Sequence, residues 1–365
     1  PIALSEATII NFATSGTANN YDYNYSRVDA MTVAGGNGEG SGNKQLAFPT
    51  SVALDSSDNL YVGDNMRVSK WNPESIEGTN IASLDRQVTG LWITKNNDLY
   101  IAKYPSSVYK WVIGQSEGVL VAGGSGGNGA NQLDWPKQIA VDDAGNLYIT
   151  DYGAHRVQKW EPGASLGTTV AGIGGKGTGF NQLNFPQSLA LDHDGMLYVG
   201  DYKRILKHSN NRADGSGMVL ADGNNYYVHG DFETVGGLAV DKDYNLYISD
   251  QDGHKVLKWE PGKNRGVLVA GGNGPGSDAN QLSAPYGITI DESNNLYIAD
   301  YGNHRVQKIY LGPSIVIEAG QTSSEVYFSV PSDSDAPTNL DKAQQNRKLI
   351  LSPNVTSGGT LADSQ

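Results

Sequence analysis

The sequence predicts an all-β protein built on a six-bladed β-propeller over residues 29–312, with a second, discontinuous β unit from residues 1–28 and 313–365. Three observations carry this. A Leu-Tyr pair recurs six times, at Tyr61, Tyr100, Tyr148, Tyr198, Tyr247 and Tyr297, with spacings of 39, 48, 50, 49 and 50 residues. Each recurrence holds three β-type runs in fixed order, and a fourth run of one type is displaced by a copy. A period of about 50 residues with four strands per copy is the signature of propeller blades.

The first run begins twelve residues before each tyrosine, on Pro49, Pro136, Pro186 or Pro285 in four copies and on Val88 or Val235 in the others. Proline has no N–H for a ladder, so it belongs at a strand's first residue. The run that follows (SVALD, GLWIT, QIAVD, SLALD, GLAVD, GITID) is almost continuously apolar, as in a strand covered on both faces. A turn rich in Asp, Asn and Gly leads to the second run, LYVGD in the first copy. The third run (RVSKW, RVQKW, KVLKW) alternates, which leaves one face wet.

The fourth run closes the count. It follows each of the first five copies (NIASL 80–84, VLVAGG 119–124, TTVAGI 168–173, MVLADG 218–223, VLVAGG 267–272) and is missing after the sixth. An orphan of the same type, MTVAGG at 31–36, precedes the first copy. Six complete sheets result only if this orphan finishes the last one, which removes the open edges.

At these residues the chain resembles the NHL repeat family: P-x-x-I/L-A-V-D, then G-N-L-Y-V-x-D, then N-H-R-V-Q-K-W, recurring in phase. Copy 2 departs, with Lys103 where the others carry Asp64, Asp151, Asp201, Asp250 and Asp300, and Thr94 where the others have Asp. Some relatives bind RNA on basic faces and others are lyases or lactonases with a metal on the propeller axis, so the resemblance implies either possibility as an expectation. The acidic balance argues against the first.

The terminal segments TSGTANNYDYNYS, SIVIEAGQTSSEVYFSV and KLILSPNVTSGGTL, taken together, resemble a Calx-beta module. The resemblance implies an immunoglobulin-like β-sandwich with the propeller inserted in one of its loops, which is tolerated where the ends of the insert lie together. Such a sandwich needs about seven strands, and these segments supply fewer. We therefore expect neighbouring copies of the chain to complete it, by tandem or head-to-tail assembly. The start at Pro1, without an initiator Met, fits a piece excised from something longer. Calx-beta modules carry calcium on clustered carboxylates, which makes Asp22, Asp333, Asp335 and Asp341 the candidates here, although the family's accompanying glutamates are missing. The sequons Asn24-Tyr25-Ser26 and Asn354-Val355-Thr356 make Asn24 and Asn354 candidate glycosylation sites.

Composition narrows the partners. With 39 acidic against 26 basic residues the net charge is −13, which repels a nucleic-acid backbone. There is no cysteine, hence no disulfide framework or thiolate metal site. No run of about 18 apolar residues offers a membrane span.

A tyrosine follows the second run in four copies: Tyr104, Tyr152, Tyr202 and Tyr301. If equivalent loops share a face, these form an interrupted aromatic ring beside Arg156, Arg204 and Arg305, suited to a glycan or a protein ligand. His155, His254 and His304 occupy one slot before the third run, as turn or packing residues would. His193, His208 and His229 fall at unrelated phases. The blade aspartates are expected to cap turns and tie blades together through backbone N–H groups. The Gly-rich stretches, such as GGSGGNG at 123–129, each lead to a new blade rather than a helix, so they are loops and not phosphate cradles. The sequence thus favours a non-enzymatic extracellular or cell-surface protein, a unit of a filament, stalk or adhesin that displays the propeller. A metal-dependent lyase or lactonase and a glycan-binding module are the alternatives.

Overall fold

Pro49, Pro136, Pro186 and Pro285 each open the innermost strand of a four-stranded antiparallel sheet, where a missing N–H costs no ladder bond. The computed structural model describes residues 8–11, 30–73, 75–209, 214–222, 232–263, 265–311, 314–317, 325–329 and 346–350. The chain divides into two units, Tyr25–Leu311 and a second of Pro1–Asn24 with Gly312–Gln365.

In the first unit, blade 1 comprises Pro49–Leu54, Leu60–Asp64, Arg67–Trp71 and Gly78–Ser83, in that order from inner to outer strand. Blade 2 runs Val88–Ile93, Asp98–Lys103, Ser107–Val112, Val119–Gly123, and blade 3 runs Pro136–Val141, Leu147–Asp151, Arg156–Trp160, Thr168–Ala171. Blade 4 is Pro186–Leu191, Leu197–Asp201, Arg204–His208, Gly217–Asp222, and blade 5 is Val235–Val240, Leu246–Asp250, Lys255–Trp259, Val267–Gly271. Blade 6 takes Pro285–Ile290, Asn295–Asp300 and Arg305–Tyr310 from the end of the repeat and Met31–Gly35 from its beginning. That last ladder, with Met31 opposite Lys308 and Gly35 opposite Arg305, closes the ring as the displaced fourth run requires.

The core lies between blades. Ala34, Val306, Ala299 and Tyr297 of blade 6 pack with Leu46, Val52, Val62 and Trp71 at blade 1, all buried. At about 1.5–3 kcal/mol per fully buried large side chain, this seam holds the closure. The innermost strands approach closely enough to require glycine: a Cβ on Gly90 would sit 2.2 Å from the Lys137 carbonyl oxygen and one on Gly237 2.6 Å from that of Tyr286.

In the second unit Thr8–Asn11 pairs antiparallel with Ser314–Ile317, Thr8 opposite Ile317, and Glu325–Ser329 pairs with Asn346–Ile350, Glu325 opposite Ile350. Among the described residues these two strand pairs are the whole of that unit, and most of the segments on which the immunoglobulin-like sandwich is expected lie outside the described residues. Asp22, Asp333, Asp335, Asp341, Asn24 and Asn354 also lie outside the described residues. No helix among the described residues is long and apolar enough to cross a membrane.

Candidate functional site

The second residue of each innermost strand faces a common space. Thr50, Thr89, Lys137, Gln187, Gly236 and Tyr286, one from each blade, line a cavity of about 190 Å³ together with Gln87, Trp135, Gln138 and Tyr301. Its wall is therefore hydroxyl, amide and aromatic, and Lys137 is its one charged group.

Lys137 carries the chemistry of this cavity. Its Nζ lies 4.3 Å from the ring centre of Trp135 and 5.3 Å from that of Tyr152, within cation–π range. Burial pushes its pKa down to about 8, because desolvation disfavours the ammonium. No ion pair engages it among the described residues, whereas nine other lysines there each meet a carboxylate. Thr89 is 8% exposed and its Oγ1 has no hydrogen-bond partner, while the equivalent Thr50 donates to the Val88 carbonyl at 2.9 Å, with the Gly63 carbonyl a second, longer acceptor at 3.2 Å.

An aromatic rim borders the cavity in two arcs. Tyr104, Trp135, Tyr152 and Phe185 follow one another with ring centres 5.7, 5.2 and 4.9 Å apart. Tyr286, Tyr301 and Phe48 form the second arc at 4.8 and 5.1 Å. Three of the four expected tyrosines are thus in the arcs, and Tyr202 is not. In blade 3 four residues separate the ladder partners Asp151 and Arg156, but only two separate Asp201 from Arg204. The shorter turn places Tyr202 at φ 51°, 52% exposed, with no ring contact among the described residues. The sequence reading also passed over Phe48, Trp135 and Phe185. Each immediately precedes the proline that opens a blade, an aromatic-Pro signal present in three of six copies. All three take positive φ, of 53°, 55° and 55°, a conformation that costs a non-glycine residue about 1–2 kcal/mol. Tethered N–H groups hold them there: Trp135 donates to the Pro105 carbonyl, Phe48 to His304 Nδ1 and Phe185 to His155 Nδ1.

Arg156 and Arg305, expected to face a ligand, are committed to the fold. Arg156 Nε donates to Asp151 at 2.8 Å and its other nitrogens to the carbonyls of Asn128, Gly129 and Gln132 in the preceding Gly-rich loop. Arg305 repeats this with Asp300 and the carbonyls of Ser277, Asp278 and Gln281. The aspartate in turn accepts the N–H of Asp134 or Ser283, so each buried pair pins a loop to its blade. Burial lifts the Asp151 carboxyl to about 6, against the lowering pull of the Asp134 N–H and Arg156. The other aspartate series caps turns: Asp142 accepts the N–H and Nδ2 of Asn146 and the phenol of Tyr148, and blades 1, 5 and 6 do the same.

The histidines do not converge. His155, His254 and His304 each accept a backbone N–H from the next blade, and His208 is buried at the outer end of blade 4. Among the described residues no three His, Asp or Glu side chains are grouped as a cation site. The axial positions, threonine, glutamine, tyrosine, glycine and one lysine, offer no carboxylate or imidazole, so they do not fit the metal that the lyase or lactonase resemblance implies.

Residues 133–160 and 282–309 match the NHL repeat, so the chain contains NHL repeats in a six-bladed propeller. No curated protein matches the sequence. Solved structures share the fold. One is a protein of unknown function from Bacteroides thetaiotaomicron, at TM-score 0.63 and 17% identity, over 77% of this chain and 75% of that one. An auxiliary nutrient binding protein from the same organism matches at TM-score 0.59 and 15% identity, over 78% and 76% of the two chains. A gluconolactonase from Xanthomonas campestris matches at TM-score 0.58 and 15% identity, over 84% and 98%. At these identities the likeness is one of fold.

Proposed function

We propose that the propeller is a binding module for small polyhydroxylated ligands, carbohydrates first, taken at the axial cavity and its aromatic rim. The observation that carries this is the meeting of the Trp135, Tyr286 and Tyr301 rings with hydroxyl and amide side chains around one cavity of about 190 Å³. Aromatic faces cover the apolar C–H face of a sugar while convergent polar groups meet its hydroxyls, which is how small-molecule sites gain affinity and orientation. The volume, below the roughly 300 Å³ of a drug-sized pocket, suits a single sugar unit. The likeness to an auxiliary nutrient binding protein agrees with a binding role.

Titration of a monosaccharide and oligosaccharide panel by calorimetry tests the reading. Trp135→Ala and Tyr301→Ala are expected to weaken binding about tenfold or more, on the order of 1.4 kcal/mol, and Tyr202→Ala to leave it unchanged. A panel without any binder, or rim variants that bind like wild type, would overturn it.

An enzyme is the second reading, favoured by the Lys137 amine poised near neutrality and by the gluconolactonase of the same fold. Lactone hydrolysis by wild type and its loss in Lys137→Met would support it. The expected role as an extracellular unit of a filament or adhesin rests on the terminal segments. The ladder of Thr8–Asn11 with Ser314–Ile317 supports a discontinuous domain there. Chemical cross-linking of the whole chain tests for neighbouring copies.

A further inference from the structure

We propose that the axial cavity selects an anionic sugar, a monosaccharide carrying a carboxylate, with the Lys137 ammonium as the group that receives that carboxylate. This rests on the carbohydrate-binding reading and deepens it.

Four observations point the same way. Lys137 is the one charged residue on the cavity wall, in a chain of net charge −13 with 39 acidic residues to draw on. Yet among the described residues no carboxylate is paired with it, and none opposes the effect of burial on its ionisation. The rings of Trp135 and Tyr152 lie against the ammonium, but a π face satisfies none of its three N–H donors. No hydrogen bond from Nζ to protein is made among the described residues. A half-buried cation without an acceptor is costly, and a ligand carboxylate removes that cost by a charge-assisted hydrogen bond.

Thr89 Oγ1 supplies the second kind of signal. It is a buried hydroxyl of a wall residue that the fold leaves unpartnered, whereas the hydroxyl of its counterpart Thr50 in the neighbouring blade is shared between the carbonyls of Val88 and Gly63. A single monovalent ammonium among neutral donors matches a monoanion better than a phosphate dianion, which would need more than one positive group.

Calorimetry at pH 7 with D-galacturonate, D-galactose and inorganic phosphate, on wild type, Lys137→Met and Thr89→Val, tests the assignment. The uronate is expected to bind wild type at least about tenfold more tightly than the neutral sugar. Lys137→Met should abolish that preference, read as the ratio of the uronate and galactose affinities of the same variant, and Thr89→Val should weaken both. Raising the pH from 7 through 8 should weaken uronate binding to wild type and leave Lys137→Met unaffected. The other titratable groups around the cavity and its rim are the phenols of Tyr104, Tyr152, Tyr286 and Tyr301, with the Lys176 ammonium over the Phe185 ring and Asp252 beyond Tyr286, and burial holds Tyr286 above the usual phenol range. Equal affinity for uronate and galactose, or an unchanged preference in Lys137→Met, would overturn the anion assignment and leave the carbohydrate reading standing. Phosphate binding as tightly as uronate would overturn the carboxylate assignment. Absence of binding by all three would overturn the anionic-sugar assignment, and the wider sugar panel then decides the carbohydrate reading.

Discussion

The Nδ1 of His155, at the turn between the second and third strands of blade 3, accepts the backbone N–H of Phe185, the residue before the proline of blade 4, at 3.0 Å. His254 holds Ala284 at 3.0 Å and His304 holds Phe48 at 3.2 Å in the same way. These clips require neutral imidazole, since both nitrogens of the charged ring are donors. Burial, helped by the Lys176 charge and opposed by Asp134, lowers the His155 pKa.

His155→Leu is expected to cost about 1–2 kcal/mol, because it leaves the Phe185 N–H without its acceptor. With the folded pKa below the unfolded value of about 6.5, the unfolded state binds more protons as pH falls, so the stabilisation is full above that value and lost below it. Denaturant melts of wild type and variant should therefore differ most at pH 8 and converge toward pH 5. A gap that stays constant with pH would exclude the titrating clip.

Blade 5 lacks the arginine fork. Asp250 accepts N–H groups from Glu233, Thr234 and Gly253 on Oδ1, but its buried Oδ2 has no hydrogen bond and Lys255 Nζ stands 3.7 Å away. In blades 1, 3, 4 and 6 an arginine Nε reaches the aspartate at 2.7 to 2.9 Å. Lys255→Arg is expected to stabilise the protein by about 1 kcal/mol, a charge-assisted bond less its side-chain ordering. Urea midpoints decide this, and a lower midpoint for the variant would show that the lysine is the better fit.

Arg156→Met should do the reverse, costing about 3–5 kcal/mol by leaving the Asp151 carboxylate buried and unpaired. Arg156→Lys should cost less, as blade 5 already tolerates that geometry. If Arg156→Lys folded with wild-type stability but lost ligand binding, the arginine would belong to the site after all.

Much of the ring was legible because repetition multiplies weak signals. Pro49, Pro136, Pro186 and Pro285 mark inner strands, and the orphan run at 31–36 demands closure with the strand Arg305–Tyr310. The site was less legible. Tyr152 and Tyr202 align in sequence, but the turns beneath them differ by two residues, which a strand pattern does not encode. Arg156 beside Tyr152 resembles a binding pair until the loop carbonyls that consume its donors are seen in space. Lys137, at a position held by threonine, glutamine, glycine or tyrosine in the other blades, belongs to no repeated motif, and only the closed ring brings the six positions together.

His208 stands where blades 1, 2, 3 and 5 carry Trp71, Trp111, Trp160 and Trp259. Each of those indoles lies against a glycine, Gly78, Gly118, Gly167 or Gly266, and Gly217 lies likewise against the His208 ring. Burial lowers the His208 pKa to about 4, the Arg204 charge acting in the same direction and the Gly215 backbone against it. Stability should thus fall from about pH 6.5 toward pH 4, by roughly 3 kcal/mol at most. His208→Trp should abolish that acid-side loss and raise the melting temperature at pH 7, because the slot is already shaped for the larger ring. A variant that melts lower at pH 7 would show that blade 4 has closed around the smaller side chain.

Lys137 should reveal itself by what it costs. Its folded pKa of about 8 lies below the unfolded value of about 10.4, so the unfolded state binds the proton more tightly and the penalty is fully present below pH 8, vanishing as pH rises toward 10.4. Lys137→Met, which keeps the stem and removes the charge, is expected to raise stability at pH 7 by on the order of 2 kcal/mol, or several degrees in melting temperature for a domain of this size. The gain should shrink as the pH is raised through 8 and beyond. Saturating uronate should remove the gain from the other side, by stabilising wild type and not the variant. A group that destabilises the empty fold and is relieved by its ligand is how a binding function shows in thermodynamics. If Lys137→Met instead lowered the melting temperature at pH 7, the lysine would be holding the inner strands together and its place at the axis would be structural.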